Sequence, residues 1–247
     1  MKEKTILDIR IFEERGEHPS VFPSSYIGTL YVTDKLIHSI SDRYARKLNE
    51  LGFITGDYDH VYIAITPFLD EGCIMESELR PKKWMKMFYI GYPPAAFNQQ
   101  SEDEKEHCIT KLITKILKNI AKDAEQSQLV ENVQHLLLRD QSELEIIHLT
   151  KETKTYKVTV SYQIRPLRKA SKAIIEYWDK SANVKRKCAF QDLKIYSDIF
   201  YLVSSITVAE GVIMLKPRTS AAAQQHIRSY AAPITITIGD IPICHEQ

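Results

Sequence analysis

The chain has 247 residues, of which 44% are hydrophobic and 26% charged, with a formal net charge of +1. Such proportions support a sizeable core and exclude wholesale disorder. A balance this close to neutral supplies no global field toward nucleic acid, a membrane surface or an acidic partner.

In chain order, Thr5 to Glu13 alternates and predicts a half-buried strand with Leu7, Ile9 and Ile11 on one face. Arg15 to Pro23 holds Gly16, Pro19 and Pro23 and reads as a loop, and Tyr26 to Val32 as a second strand. Thr33 is placed to cap a helix whose stripe is Leu36, Ile37, Ile40, Tyr44, Leu48 and Leu51. Gly52 stops that helix, because glycine takes the left-handed conformation without a Cβ clash.

His60 to Leu69 predicts a strand with Val61, Ile63 and Ile65 alternating against Tyr62 and Ala64. A turn at Asp70-Glu71-Gly72 follows, then strands at Cys73–Leu79 and Trp84–Tyr92, with Pro93-Pro94 as a break. Ser101 and Glu104 have the spacing of a capping box. Behind them Ile109, Leu112, Ile113, Ile116, Leu117 and Ile120 form one stripe, with acids at its start and lysines toward its end. A further helical stretch, Gln128–Arg139, either continues this helix past a bend or is separate.

From Glu143 onward the period returns to two. Hairpins are expected at Glu143–Leu149 with Tyr156–Arg165, at Ala173–Lys180 with Val184–Phe190, and at Phe200–Val208 with Val212–Lys216. Ser220–Ser229 reads as a short helix, Pro233–Ile238 as a last strand, and the tail after Asp240 as loose. The class is therefore α+β. Mixed or antiparallel sheets carry two main amphipathic helices in an N-terminal region, 1–142, and a mainly β region follows at 143–247. No Pro- or Gly/Ser-rich linker marks the boundary, so one continuous domain is the alternative. Glu71-Gly72-Cys73-Ile74-Met75 recurs as Glu210-Gly211-Val212-Ile213-Met214. The echo reflects either a duplicated hairpin or the turn chemistry that Glu-Gly supplies by itself.

The eight glycines are scattered, and no Gly-rich loop is present to bring the backbone up to a polyphosphate. G-x-S-x-G, H-E-x-x-H and an EF-hand loop are also missing. No two histidines stand four residues apart as helical metal ligands would. His107 and Cys108 are adjacent, so on a helix they diverge by about 100° and make no dyad. Cys73, Cys108, Cys188 and Cys244 are isolated, as expected of reduced thiols in the cytoplasm rather than of a disulfide or zinc framework. Cys108 reads as a small core hydrophobe. The charged first residues lack the apolar stretch of a signal peptide, and no apolar run reaches the ~18 residues of a membrane-spanning helix.

Three clusters remain. Asp57, Asp59 and His60 precede one strand, and Asp70 and Glu71 follow it. They suit either a dispersed acid–base site or simple turn chemistry. Residues 165–194 hold nine basic residues, among them Arg165, Arg168, Lys185 and Arg186, against three acidic ones, with Tyr177 and Trp178 interleaved. That pattern suits a nucleic-acid backbone, an acidic protein surface, or lysines guarding a sheet edge. Trp84, Lys86 and Phe88 alternate with Met85, Met87 and Tyr89, so this strand is either central or has an adhesive outer face.

The runs DYDHVYIAITPFLDEG and WMKMFYIGYPPAAFN, followed by the capped helix, resemble uncharacterised proteins of Gram-positive bacteria, some of them immunity partners of secreted toxins. The resemblance spans residues 57–120 and carries no site residue with it. It implies a cytoplasmic protein that binds another protein. The expectation is a non-enzymatic binding protein without cofactor or metal, with Trp84, Tyr177, Trp178, Lys185 and Arg186 as partner-binding residues. The alternatives are an enzyme built on Asp57, Asp59, His60 and Glu71, and a nucleic-acid binder using 165–194.

Overall fold

The computed structural model describes residues 3–16, 23, 25–33, 37–80, 82–166 and 169–244. Leu36, Pro81 and Arg168, and most of the loop expected before Pro23, lie outside them. The class is α+β, with six α-helices and fourteen strands among the described residues. The chain divides into two units, Met1–Leu144 and Glu145–Gln247.

The first unit runs β1 (Lys4–Thr5), β2 (Asp8–Glu13), β3 (Ser25–Tyr26), α1 (Ile37–Glu50), β4 (Ile54–Gly56), β5 (His60–Thr66), β6 (Ile74–Glu76), β7 (Met85–Gly91), α2 (Pro94–Asn98), α3 (Glu102–Ile120) and α4 (Ala124–Asp140). Its main sheet has the order β3-β2-β5-β7-β6, with β2, β5 and β7 parallel and the two edge strands antiparallel. A small sheet pairs β1 with β4. The alternation within β5 holds, since Val61, Ile63 and Ile65 join the core packed by α1, α3 and α4 while Tyr62 and Ala64 line the opposite face.

The first strand is interrupted where unbroken alternation was expected. The N–H groups of Leu7 and Asp8 both donate to the Asp59 carbonyl, so one residue is skipped in the ladder. Ile6 enters the core instead of Leu7, which is 42% exposed.

Helix α3 starts as its sequence requires. The Ser101 side chain accepts from the Glu104 N–H, and the Glu104 carboxylate accepts from the Ser101 N–H across 2.8 Å. Extended backbone at Ala121 ends it, and Asp123 caps α4 by accepting from the Gln126 N–H at 2.8 Å. The stretch is therefore two helices. The helices are also more widely spread than two in the N-terminal region: four lie in this unit and two short ones in the next.

The second unit comprises β8 (Glu145–Glu152), β9 (Tyr156–Gln163), β10 (Ser171–Asp179), β11 (Val184–Leu193), α5 (Ile199–Leu202), β12 (Ser205–Ala209), β13 (Val212–Lys216), α6 (Ala221–Ile227) and β14 (Ile234–Thr237). Two antiparallel sheets, β11-β10-β9-β8 and β12-β13-β14, share a core that includes Val158, Val160, Ile175, Ile213 and Leu215. The strand expected at Phe200–Val208 begins only at Ser205. The Val203 N–H closes a helical turn onto the Ile199 carbonyl at 3.0 Å, which buries Ile199 and Leu202 together.

One open alternative is decided and one expectation is overturned. The Glu-Gly echo is not one repeated hairpin: β12 and β13 pair directly through Glu210-Gly211, whereas β7 lies between β5 and β6 on either side of Glu71-Gly72. Nor are residues 241–244 loose. Ile241 is buried, the Lys187 N–H donates to the Pro242 carbonyl at 3.0 Å, and the Cys244 N–H donates to the Lys185 carbonyl at 2.8 Å.

Candidate functional site

The face of the first unit's sheet opposite its helix-side core carries aromatic side chains from three consecutive strands and from the residue just before a fourth. Trp84, just before β7, meets His60 edge-on at 4.5 Å and Tyr62 of β5 at 6.5 Å between ring centroids. Tyr62 meets Phe12 of β2 at 5.3 Å, and Phe12 stacks on Tyr26 of β3 at 4.8 Å. The Arg10 guanidinium lies 5.3 Å over the Tyr62 ring. The two ends of this ladder are partly exposed, Trp84 at 39% and Tyr26 at 50%, with Tyr26 also meeting His38 of α1 edge-on at 5.3 Å, while Tyr62 between them is buried.

Simple alternation puts Trp84 beside Phe88, and the structure separates them. Phe88 belongs to the helix-side core. Trp84 precedes the ladder of β7 and is held by its carbonyl, which accepts from the Asp59 and His60 N–H groups at 3.1 and 3.2 Å. Its ring is thereby free to turn onto the Tyr62 side. Tyr62, Phe12, Tyr26 and Arg10 were not recognised as a group from sequence. The signal available was one large residue at the outward position of each strand, but only the parallel order β2-β5-β7 brings them into line.

The acidic cluster does not form a single site. Asp59 accepts from His60 Nδ1 at 2.6 Å and pairs with Lys4 at 3.0 Å. Partial burial opposes its ionisation, but His60 and Lys4 outweigh this and hold it below the usual carboxylate range. Asp57 turns to the Arg80 guanidinium at 2.8 Å, which likewise lowers it. Glu71 stands beyond the far end of β5, about 20 Å away at ~3.3 Å per strand residue. It lines a different cavity, bounded by α3.

In the second unit, the partner-binding candidates divide between two faces of one sheet. Tyr177 turns inward, stacks against Tyr156 at 6.0 Å and packs on the core. Its cross-strand partner Arg186 donates to the Ile241 carbonyl at 2.7 Å. Trp178 and Lys185, paired across the same two strands, take the outer face. There Lys180 and Lys185 each place Nζ 5.8 Å from the Trp178 ring centroid, and Trp178 Nε1 donates to Asn183 at 3.3 Å.

The basic excess of 165–194 is reduced from outside that segment. Glu152 takes Lys180 at 2.6 Å and Lys157 at 3.9 Å, and Glu145 takes Lys187 at 2.6 Å. Both acids belong to β8, so the outer face is a lattice of alternating charge around one tryptophan rather than a uniformly positive track.

Among the described residues no group of three or more His, Cys, Asp or Glu is arranged to hold a metal ion, and no helix is long and apolar enough to cross a membrane. No family model, curated protein or solved structure gives a significant match to this chain.

Proposed function

We propose that this chain is a protein-binding protein that covers a surface of its partner. The observation that carries this reading is the ladder Trp84–Tyr62–Phe12–Tyr26 with Arg10 over it. Tryptophan, tyrosine and arginine dominate the energetics of protein interfaces, because each offers a large rigid contact and a polar group at its edge. A ladder partly exposed at its ends presents such anchors already oriented. In the second unit, the face around Trp178, with both signs of charge, suits contact with a protein surface better than with a phosphate backbone. The specific role implied by the resemblance is neutralisation of a bacterial toxin in the cytoplasm, by steric occlusion and without a cofactor.

The test is affinity capture from the native host with the wild-type chain, Trp84→Ala, Tyr26→Ala and Trp178→Ala in parallel. One defined protein is expected on the wild type, with retention at least about tenfold weaker for a ladder variant. Capture of no protein, together with turnover of a small molecule by the purified chain, would overturn the reading in favour of an enzyme. Co-expression with products of adjacent genes tests the toxin-neutralising role, which fails if no growth inhibition is relieved.

A further inference from the structure

A cavity of about 630 Å³ opens in the first unit between the turn that holds Glu71 and Gly72, the chain after β7, and one side of α3. It lies within the size range of small-molecule sites. The helix supplies His107, Cys108, Lys111, Leu112 and Lys115 at steps of three and four, which brings them to one side. Tyr92 and Gln100 also line it.

The polar groups here fall into two sets. Glu104 is engaged in the capping box, and His107 Nδ1 lies 2.7 Å from the Asp103 carbonyl. The others are not used up by the fold. Gln100 Nε2 donates to the Tyr92 hydroxyl at 2.9 Å, yet Gln100 Oε1 is buried with no hydrogen-bond donor among the described residues. A buried acceptor is ordinarily filled, so Gln100 Oε1 takes its donor from solvent or from a molecule in the cavity. Lys111 and Lys115 are exposed and form no ion pair among the described residues. Lys115 reaches across the mouth, where a Cβ on Gly72 would stand 2.6 Å from its Nζ.

These groups surround one volume. The Cys108 thiol lies against the Tyr92 hydroxyl, burial pushes the thiol up, and the charges of Glu71 and Lys111 both reach it. A thiol pushed up by burial is a weak nucleophile. The lining carries two lysines and two carboxylates, Glu71 and Glu104, but Glu104 is directed into the capping box, which leaves the ammonium groups of Lys111 and Lys115 to meet an anion. The orphan amide oxygen, with Glu71, favours a ligand that also donates an N–H or O–H.

We infer that this cavity is a binding site for a small organic anion, carboxylate or phosphate, whose N–H or O–H group is received by Gln100 Oε1 while Lys111 and Lys115 hold its charge. The site is separate from the aromatic ladder and does not depend on the protein-binding reading.

Calorimetric titration of the full chain with L-glutamate, glucose 6-phosphate and sulfate tests it. L-Glutamate and glucose 6-phosphate represent the carboxylate and phosphate sources, and sulfate is an anion without a donor. At least one organic anion is expected to bind about tenfold or more tightly than sulfate. Lys111→Met with Lys115→Met, on an exposed wall whose loss leaves the core intact, should abolish that binding. Gln100→Leu should reduce the organic anion to the level of sulfate. Equal binding of all three probes, binding of none, or binding indifferent to both sets of substitutions overturns the assignment.

Discussion

The Leu30 backbone N–H donates to Glu13 Oε2 across 2.8 Å, and the N–H groups of Gly28, Thr29 and Tyr31 converge on the same oxygen at 3.2, 3.0 and 3.3 Å. Glu13 is fully buried at the end of β2. Its other oxygen accepts from Arg15 at 2.7 Å and Ser25 at 3.0 Å. This nest explains why Tyr26–Val32 is not a strand beyond Tyr26: its donors serve the carboxylate instead of a neighbouring chain.

Glu13→Gln should therefore destabilise the first unit by about 3 kcal/mol, through loss of charge-assisted bonds to a buried acceptor. Burial alone would raise the carboxyl, but Arg15 and the N–H groups of Thr29, Leu30 and Tyr31 bring it down to about 2. A lowered carboxyl contributes its stability fully above the unfolded value of about 4.3, and that contribution fades as pH falls toward 2. Urea titrations from pH 7 to pH 2 should show a gap between wild type and variant that narrows steadily below pH 4. A gap constant with pH would contradict it.

Gly91 ends β7 against the chain that leaves β5. A Cβ there would lie 2.0 Å from the Asp70 carbonyl oxygen and 2.5 Å from that of Leu69, both backbone atoms that cannot rotate aside. The Gly72 N–H also donates to the Gly91 carbonyl at 2.8 Å, so the turn is fixed from both directions. Gly91→Ala should cost about 2–3 kcal/mol or more, read as a lowered denaturation midpoint. The exposed Gly239, where a Cβ meets nothing within 4 Å, provides the control, and Gly239→Ala should stay within about 0.5 kcal/mol of wild type.

Two carboxylates of β8 offset part of the local basic excess of 165–194 by pairing with Lys180 and Lys187. Glu145→Gln with Glu152→Gln should uncover it, because Lys157, Lys180 and Lys187 lose their counter-ions. Retention of the double variant on heparin should move to clearly higher salt than that of the wild type, with a steeper salt dependence. Stability should change by less than about 1 kcal/mol, since exposed pairs contribute little. Strong retention of the wild type itself would restore the nucleic-acid reading.

What the sequence revealed was local. The capping box of α3, the stop at Gly52 and the alternation of β5 each depend on neighbours within about four residues, and each is found. What it concealed was set by distant chain. Trp84 turns to the Tyr62 side because its carbonyl is held by Asp59 and His60. Leu7 is displaced because two N–H groups share the Asp59 carbonyl. The charge count around Trp178 was misleading because its compensating acids enter from β8. Of the candidate residues, Asp59 and His60 do meet, whereas Glu71 lines a cavity whose Gln100 and Lys115 carry no motif. Phe200–Leu202 was misjudged for a different reason: a short apolar run has no period that separates strand from helix.

The last segment of the chain offers a test of how the second unit is closed. Ile241 is buried among the core residues of that unit, and its carbonyl accepts from Arg186 at 2.7 Å. Pro242 and Cys244 pair with Lys187 and Lys185, so residues 241–244 extend the sheet past β11 and cover that edge. Ile241→Ala should destabilise by about 2–4 kcal/mol, from lost transfer energy and the cavity left behind. A chain ending at Asp240 should lose at least as much. It should also expose the N–H and C=O groups of Lys185 and Lys187, a template for pairing with another copy. The expected result is concentration-dependent association of the truncated chain in light scattering, with Ile241→Ala remaining unassociated because its backbone still covers the edge. If both variants associate alike, the tail acts through its side chain alone and the edge-covering role is wrong.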